Sequence, residues 1–108
     1  MAINIFRNIT ADLTTVAQTL YTAPAAYSGI VLMAQISNTT AGTVTTSVYV
    51  KNVDLTLTSL VTNYSIPGDD ALGVLSGKLV LQTGQSLVAV AAADSSLQMV
   101  MSILESQN

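Results

Sequence analysis

Few side chains in this sequence of 108 residues could carry out chemistry: it has six acidic and three basic residues and no Cys or His. Without Cys there is no thiolate nucleophile or thiolate metal site, and without His the commonest general base is also missing. A Ser or Thr nucleophile would depend on Lys51, Lys78 or the amino terminus as its base. Paired-carboxylate hydrolysis needs two acids about 5–9.5 Å apart, and the spacing of the acids does not indicate such a pair. We therefore expect that the protein is not an enzyme.

Two patterns in the sequence could bind a ligand. Asp69 and Asp70 follow Pro67 and Gly68 and could offer oxygen ligands to Ca²⁺, although adjacent acids in such a turn are more often a solvated loop or a helix cap. The tyrosines could form a platform that stacks on a sugar, although tyrosines also commonly close the edges of sheets. They are Tyr21, Tyr27, Tyr49 and Tyr64. Neither pattern specifies a metal or a cofactor, and we expect none.

Charge is scarce along the whole chain. Charged residues make up 8% of it, against about 25% in ordinary soluble domains. The three cations form no basic cluster, so we expect no nucleic-acid partner. Fourteen Thr and eleven Ser supply polar surface instead. Because fixed charges are costly to desolvate, this composition predicts a surface covered by further copies of the chain or by a larger assembly. The alternative is an extracellular or salt-tolerant monomer with a hydroxyl-rich surface.

The sequence shows no targeting signal. Its first residues lack the basic and apolar regions of a secretory signal peptide. The longest apolar run, residues 87–93, is far shorter than the roughly 20 residues that span a bilayer. We therefore expect synthesis in the cytoplasm and no membrane partner.

Alternation of apolar and polar residues is the main structural signal. It runs through residues 43–50, 60–66 and 97–103. In the second of these segments it predicts that Leu60, Tyr64 and Ile66 share one face. Clusters of Gly, Pro, Asn, Asp and Ser separate such segments at short intervals. The pattern predicts an all-β protein with about seven to nine strands in a single antiparallel β-sandwich domain, of jelly-roll or immunoglobulin-like type.

The length of the chain fits one domain with one hydrophobic core. We divide it into an N-terminal segment, residues 1–14, and the sandwich, residues 15–108. In the N-terminal segment Ile3 and Ile5 alternate with polar residues and precede Phe6, the single Phe of the chain. An apolar chain end of this kind forms either an ordinary first strand or an arm that pairs with the sheet edge of a neighbouring molecule.

Two segments, residues 30–36 and 87–92, are apolar on both faces. Strands that are covered on both sides have this composition, whereas a single sandwich has one interior. A neighbouring subunit would cover the outward residues, or alternatively a loop or the N-terminal segment of the same chain would. We therefore predict a homo-oligomer. Its candidate interface residues are Ile3, Ile5, Phe6, Val31, Met33, Val88 and Val90.

Several stretches of the sequence carry a family resemblance. Residues 19–24, 29–32, 66–72 and 77–87 read TLYTAP, GIVL, IPGDDAL and GKLVLQTGQSL, and residues 102–105 close a strand with SILE. With these features the chain resembles small structural proteins of tailed-bacteriophage virions, including those of cyanophages and marine phages. Two positions depart from the family pattern. Residues 25–27 replace a Gly-Lys pair after the proline, and Ser76-Gly77 stands where Gly-Gly is usual.

The resemblance implies a β-sandwich that coats or joins parts of a virus particle. It implies a capsid decoration (cement) protein, or else a collar, neck or tail-fibre component. The location would be the virion, the partners would be other virion proteins such as the major capsid protein, and no catalytic residue is implied. A glycan- or receptor-binding module is the alternative from another functional class. It would use the tyrosines and the turns near Asn38 or Asp69.

Overall fold

The computed structural model describes residues 3–108 and contains nine β-strands in two antiparallel sheets. The strands are β1 (Asn4–Asp12), β2 (Gln18–Thr22), β3 (Tyr27–Asn38), β4 (Val44–Lys51), β5 (Leu57–Ile66), β6 (Ala71–Gly73), β7 (Leu79–Leu81), β8 (Ser86–Ala91) and β9 (Leu97–Gln107). The prediction of an all-β antiparallel sandwich is confirmed. Within the described residues, no helix is long and apolar enough to cross a membrane.

The strands form nested antiparallel pairs, in which early strands pair with late ones and the middle strands pair with each other. β1 pairs with β9, β2 with β8, β3 with β6 and β7, and β4 with β5. Pairing of β9 with β3 completes a five-stranded sheet, and pairing of β8 with β4 completes a four-stranded sheet in the order β2-β8-β4-β5. This nested order is that of a jelly roll, so the structure selects one of the two predicted sandwich types.

The core lies between the two sheets and is built from alternate residues of the strands. In β9 the inward residues are at most 2% exposed, as the alternation predicts; they are Leu97, Met99, Met101 and Ile103. Val48 and Val50 of β4 join the same cluster from the four-stranded sheet. Since burial of apolar surface contributes about 25 cal/mol per Å², this cluster is the main stabilising feature of the fold.

A β-bulge in β3 changes which of its residues face the core. The register with β9 shifts between Val31 and Met33, so Ala34 and Ile36 continue the inward face with the opposite parity. Val31 is consequently 0% exposed, whereas Met33 is 41% exposed. The prediction that Val31 faces outward and needs an external cover is wrong, because strict alternation does not continue through a bulge.

Two more register shifts occur where β4 pairs with β5. They insert extra residues into β5, so that Leu60 and Val61 both pack against the core. Tyr64 and Ile66 keep the predicted common face, because they pair with Thr46 and Val44 without a shift between them, although Tyr64 is 49% exposed. The alternation fails at Val61, which pairs with the buried Val48 although strict alternation places it on the opposite face from Leu60 and Ile66. Because β5 is an edge strand, its bulges also hinder pairing with a further strand.

Asn38, the last residue of β3, holds together two loops at one end of the sandwich. Its buried side-chain amide donates to the main-chain oxygens of Gly42 and Ile66 and accepts from the main-chain N and the hydroxyl of Thr40. Gly68, in the β5–β6 connection, packs directly on the backbone of Ala41 in the β3–β4 loop. The hydrogen bonds of Asn38 are thus used within the fold, and its side chain is not available to a ligand.

Candidate functional site

The outer face of the five-stranded sheet carries a continuous row of apolar side chains. Phe6 of β1 pairs with Leu104 of β9. Leu104 also pairs with Ile30 of β3, which in turn pairs with Val80 of β7. Because the Cβ atoms of directly paired residues lie about 4.5–5.5 Å apart, these side chains are neighbours across four strands. Phe6 is 76% and Val80 is 56% exposed. We call these four residues the apolar row.

The surface around the apolar row is polar and almost uncharged. Apart from Met33 on β3, the outward positions next to it on β1, β3 and β9 are amide and hydroxyl residues, namely Asn4, Asn8, Ser28, Ser102 and Ser106. Asp12, at the far end of β1, is the one charged residue among the outward strand positions of this sheet in the described chain. A partner that covers this face therefore removes very little charge from water, and the desolvation cost is small.

The apolar row ends at an exposed sheet edge. β1 pairs with β9 over nine residues without a register shift, and its other side pairs with no strand of residues 3–108. By contrast, bulges interrupt the pairing of β2 and β5, the edge strands of the other sheet. A long regular edge is the part of a sheet that most easily accepts a strand from another chain. A second molecule could therefore extend the sheet at Phe6.

Part of the predicted interface lies on this side of the molecule. Phe6 belongs to the apolar row, and Met33 lies next to it, opposite Ser102. Ile3 is 49% exposed just before β1. Ile5 is half-buried and pairs with Glu105, on the inward side of β1. The N-terminal segment forms the first strand of the sheet in this single chain, and its exchange between copies stays a prediction.

The other part of the predicted interface lies on the opposite face of the sandwich. Val88 and Val90 point outward from β8 in the four-stranded sheet, and Val90 is half-buried. Val88 is 5% exposed and is flanked by its cross-strand partners Thr19 and Tyr49. The chain thus covers Val88 by itself, which agrees with the alternative that no neighbouring subunit is needed there. The predicted interface residues do not form one surface.

Sequence reasoning missed three members of the apolar row: Ile30, Leu104 and Val80. Leu104 follows the inward Ile103 on β9 and lies one residue beyond the alternating segment 97–103. The strand register, however, decides that Leu104 meets Phe6 on one side and Ile30 on the other. No local sequence signal carries that register.

A buried carboxylate near the ends of β1 and β9 connects the two sheets. Glu105 is 2% exposed. The Arg7 Nε donates to Glu105 Oε1 at 2.7 Å, and the Tyr21 hydroxyl donates to Oε2 at 2.7 Å. Arg7 lies on β1 in the same sheet, whereas Tyr21 comes from β2 in the opposite sheet. Both oxygens of the carboxylate are therefore occupied by donors within the fold.

The environment of Glu105 keeps its carboxyl ionised. Burial alone would raise its pKa, but the hydrogen bonds from Arg7 and Tyr21 and the positive charge of Arg7 outweigh burial and lower it. Burial, followed by the hydrogen bond to the Glu105 carboxylate, raises the pKa of Tyr21 well above its ordinary value. Tyr21 thus stays protonated as a donor. This is the electrostatics of a structural ion pair, in which both oxygens of Glu105 are used within the fold.

The residues behind the family resemblance meet at this carboxylate. A Cβ at Gly29 would lie 2.7 Å from the Tyr21 ring and its hydroxyl oxygen, so the absence of a side chain there makes room for Tyr21. Tyr21, Gly29 and Glu105 come from three separate stretches of the resemblance. In this chain Tyr21 and Glu105 join the two sheets, and Gly29 makes room for the Tyr21 ring.

The structure does not bring together the residues of the two candidate ligand sites, the tyrosine platform and the cation site at Asp69 and Asp70. Tyr21 is interior, Tyr49 lies on the outer face of the four-stranded sheet and Tyr64 lies on the edge strand β5, so the tyrosines form no common platform. Asp69 and Asp70 lie in the exposed β5–β6 turn, where Asp70 caps the main-chain N of Ala71. Among residues 3–108, no three acidic side chains come together as a metal site would require.

No family model matches the chain. No curated protein is similar to it in sequence either.

Solved structures share its fold. The chain is similar to VP2 in the subviral particle of infectious bursal disease virus, with 12% identity and a TM-score of 0.54 over 100% of this chain and 32% of VP2. It is similar to a chain in the acid-stable capsid structure of Helicobacter pylori bacteriophage KHP30, with 14% identity and a TM-score of 0.52 over 98% of this chain and 93% of that one. The Gt strain of infectious bursal disease virus gives 13% identity and a TM-score of 0.50, over 100% of this chain and 33% of that one.

These neighbours come from virus particles, and at identities of 12–14% the likeness shows a common fold and nothing more. The chain spans about a third of the length of the VP2 chain that it matches. The KHP30 counterpart is a chain of similar length, since the match covers nearly all of both.

Proposed function

We propose that the protein is a structural component of a virion that coats or stabilises the capsid as a decoration (cement) protein. It is made in the host cytoplasm and is incorporated into the particle. It contacts further copies of itself and other virion proteins, such as the major capsid protein, through the outer face of the five-stranded sheet. The proposal involves no enzymatic step and no nucleic-acid or membrane contact.

The apolar row on an uncharged sheet face is the observation that carries this proposal. A contiguous exposed apolar patch with a polar rim is typical of an interaction site. The centres of protein interfaces are depleted of charge and enriched in aromatic residues, and Phe6 is the most exposed large apolar side chain among the described residues. This face therefore has the properties of an interface core.

The jelly-roll fold is compatible with a structural role in a virion, but the fold by itself does not determine that role. Jelly rolls build viral capsids but also lectins and cupins, and a fold alone does not determine function. The similar length of the KHP30 capsid chain favours a small protein that is repeated many times over a particle. In such a lattice, contacts that are weak singly give strong retention together.

We expect the Phe6→Ser variant to bind particles about 30-fold more weakly than the unchanged protein, as truncation of a central aromatic anchor costs about 2 kcal/mol or more. The measurement is co-sedimentation of purified protein with particles from which the native protein has been dissociated. The matched control is Val16→Ser, because Val16 is 71% exposed in the β1–β2 loop, away from the apolar row. Equal weakening by both variants would contradict the assignment of this face.

Labelling of intact particles tests the location. An antibody against the purified protein, detected with gold, should decorate the whole head surface if the protein is of the decoration type. Label confined to the neck or the tail would replace this assignment with a collar or tail-fibre role. Two results together would overturn the virion proposal. Gold label would be absent from intact particles, and the protein would be missing from the set of proteins in purified particles.

Binding of a glycan is the second candidate function. A depression of about 400 Å³ on the five-stranded sheet is lined by Thr10, Asp12, Ser37 and Gln98 among others, and hydroxyl, carboxylate and amide groups suit hydrogen bonding to sugars. None of the tyrosines lines it, so it offers no ring for stacking. A glycan array separates the two candidates, because a decoration protein should give no sugar-dependent signal.

A further inference from the structure

A second exposed apolar feature lies at the tip of the β4–β5 hairpin. Val53, Leu55 and Leu57 are 69%, 69% and 54% exposed, and we call them the apolar tip. The polar groups between them are hydrogen-bonded within the hairpin. Asp54 Oδ1 accepts from the main-chain N and the hydroxyl of Thr56 at 3.1 and 2.6 Å. The tip therefore presents aliphatic side chains on a loop that is already ordered.

The backbone at the centre of the apolar tip is strained. Leu55 has a φ of 71°, in the left-handed region that glycine and asparagine adopt far more easily than leucine. A bulky side chain at an exposed left-handed position makes the isolated chain less stable. Strained residues of this kind cluster at binding and switch sites, and Leu55 is the one large apolar side chain among the five non-glycine residues with a positive φ within residues 3–108.

A groove of matching character lies on the other sheet, between β3 and the β6–β7 connection. Its volume is about 430 Å³, and its lining includes Leu32, Met33, Leu75, Gly77 and Lys78. Pockets of about 300–1,000 Å³ take up small apolar groups, so this one is large enough for the side chains of a hairpin tip. Lys78 provides the positive charge of the groove.

The tip and the groove carry opposite charges. Hydrogen bonds from the Thr56 hydroxyl and main-chain N lower the pKa of Asp54, which is therefore ionised at neutral pH. The ion pair found within residues 3–108 is that of Arg7 and Glu105. Asp54 and Lys78 thus have no ionic partner within the described part of the chain, and each can pair with the other across an interface.

We propose that the apolar tip of one molecule inserts into the groove between β3 and the β6–β7 connection of a second copy of this chain. Val53 and Leu55 enter the groove, and Asp54 lies beside Lys78. Because the contact joins two different surfaces, it repeats from copy to copy until a ring or a lattice closes. It is small and weak singly, and repetition strengthens it. The groove lies on the same outer sheet face as the apolar row, but the contact uses none of the four residues of the row and needs no capsid partner. Its tests measure contacts between copies alone, so their failure is distinguishable from failure of the proposed function.

Disulfide trapping tests the contact, since the chain contains no natural Cys. Leu55→Cys protein is mixed with Gly77→Cys protein under mild oxidation, and mixed dimers are measured on a non-reducing gel. Gly77 accepts a side chain because nothing lies within 4 Å of the position of its Cβ. We expect about tenfold more mixed dimer than from Val16→Cys with Gly77→Cys, because a specific contact raises the local concentration of the two thiols. Equal yields would overturn the proposal.

Charge reversal tests the register of the contact. Lys78→Glu in the Gly77→Cys protein should lower the dimer yield about fivefold, because an attractive surface pair becomes repulsive. Asp54→Lys in the Leu55→Cys protein should restore it. A yield that is insensitive to Lys78→Glu, or one that Asp54→Lys fails to restore while thermal unfolding shows both proteins folded, would contradict the pairing of Asp54 with Lys78.

Leu55→Gly separates the contact from the stability of the fold. The variant should raise the midpoint temperature of unfolding, because glycine adopts the left-handed conformation without strain. It should also weaken self-association in sedimentation at high protein concentration, because the contact of the tip is lost while the apolar row is unchanged. Undiminished self-association would contradict insertion of Leu55, and a lowered midpoint would contradict the strain.

Discussion

The Glu105→Ala variant should lower the free energy of unfolding by about 3 kcal/mol, as hydrogen bonds to charged groups contribute about 1.5–3 kcal/mol each and the lost side chain leaves a cavity. The Tyr21 hydroxyl would also lose its acceptor between the sheets. Urea unfolding of the purified protein measures the change. A loss below 1 kcal/mol would contradict the role of Glu105 in joining the sheets.

The pH dependence of the free energy of unfolding separates the contribution of the Glu105 charge from that of its side-chain packing. In Glu105→Gln the amide oxygen can accept from Arg7 and the amide NH₂ can donate to Tyr21, so the variant removes the charge and keeps the packing. The pKa of Glu105 is lowered in the folded state, so its ionised form contributes stability above the ordinary carboxyl pKa of about 4.3. That contribution is lost as the pH falls through the folded-state pKa.

We therefore expect the unchanged protein to be more stable than Glu105→Gln at neutral pH and the difference to shrink below about pH 4. Unfolding curves recorded across the acid range provide the measurement. Asp12→Asn is the matched control, because Asp12 is an exposed acid on the same sheet and takes part in no ion pair among the described residues. If both variants showed the same acid dependence, Glu105 would not be the responsible carboxylate.

The Gly68→Ala variant should be destabilised by about 3 kcal/mol, at the upper end of what overpacking costs. A Cβ at Gly68 would lie 2.1 Å from the carbonyl oxygen of Ala41 and 2.3 Å from its carbonyl carbon. Backbone atoms cannot move aside as the end of a flexible side chain can. The β5–β6 turn would have to separate from the β3–β4 loop, which would break the hydrogen bond from Asp69 N to the Thr40 oxygen.

Gly42→Ala is the matched control for this prediction. Gly42 lies in the same β3–β4 loop, but nothing lies within 4 Å of the position of its Cβ and its φ is not in the left-handed region. Its replacement by Ala should be neutral or stabilising by up to about 1 kcal/mol, because the unfolded chain loses freedom. Thermal unfolding of both variants compares them directly. Equal midpoints would show that the contact between Gly68 and Ala41 does not constrain the loops.

Predictions from the sequence succeeded where one face of a strand is buried and the register is regular. In β9 the alternation over residues 97–103 grouped Met101 and Ile103 on one face, which lies in the core, because a side-chain period of two maps directly onto two faces. It failed at Val31 and at Val61. A bulge exists only in relation to a partner strand, so no property of residues 30–36 or 60–66 alone reveals it.

The cluster of Glu105, Arg7 and Tyr21 that joins the two sheets could not be predicted from the sequence either. An acid near the end of a strand normally belongs to the surface. Glu105 is buried because Arg7 and Tyr21 reach it, and these residues are 98 and 84 positions away in the chain. A charge can be buried only where such partners converge, and the fold alone brings them together.

The sequence by itself determined the fold class, the number of strands within narrow limits, the turns and the scarcity of charge, because strand periodicity, turn chemistry and composition are local properties. The tertiary structure decided the jelly-roll order, the apolar row and the apolar tip with its groove. Each of these depends on which strands become neighbours and in what register. Register is fixed by packing across the whole sandwich, so the surfaces that could meet a partner become visible only once the chain is folded.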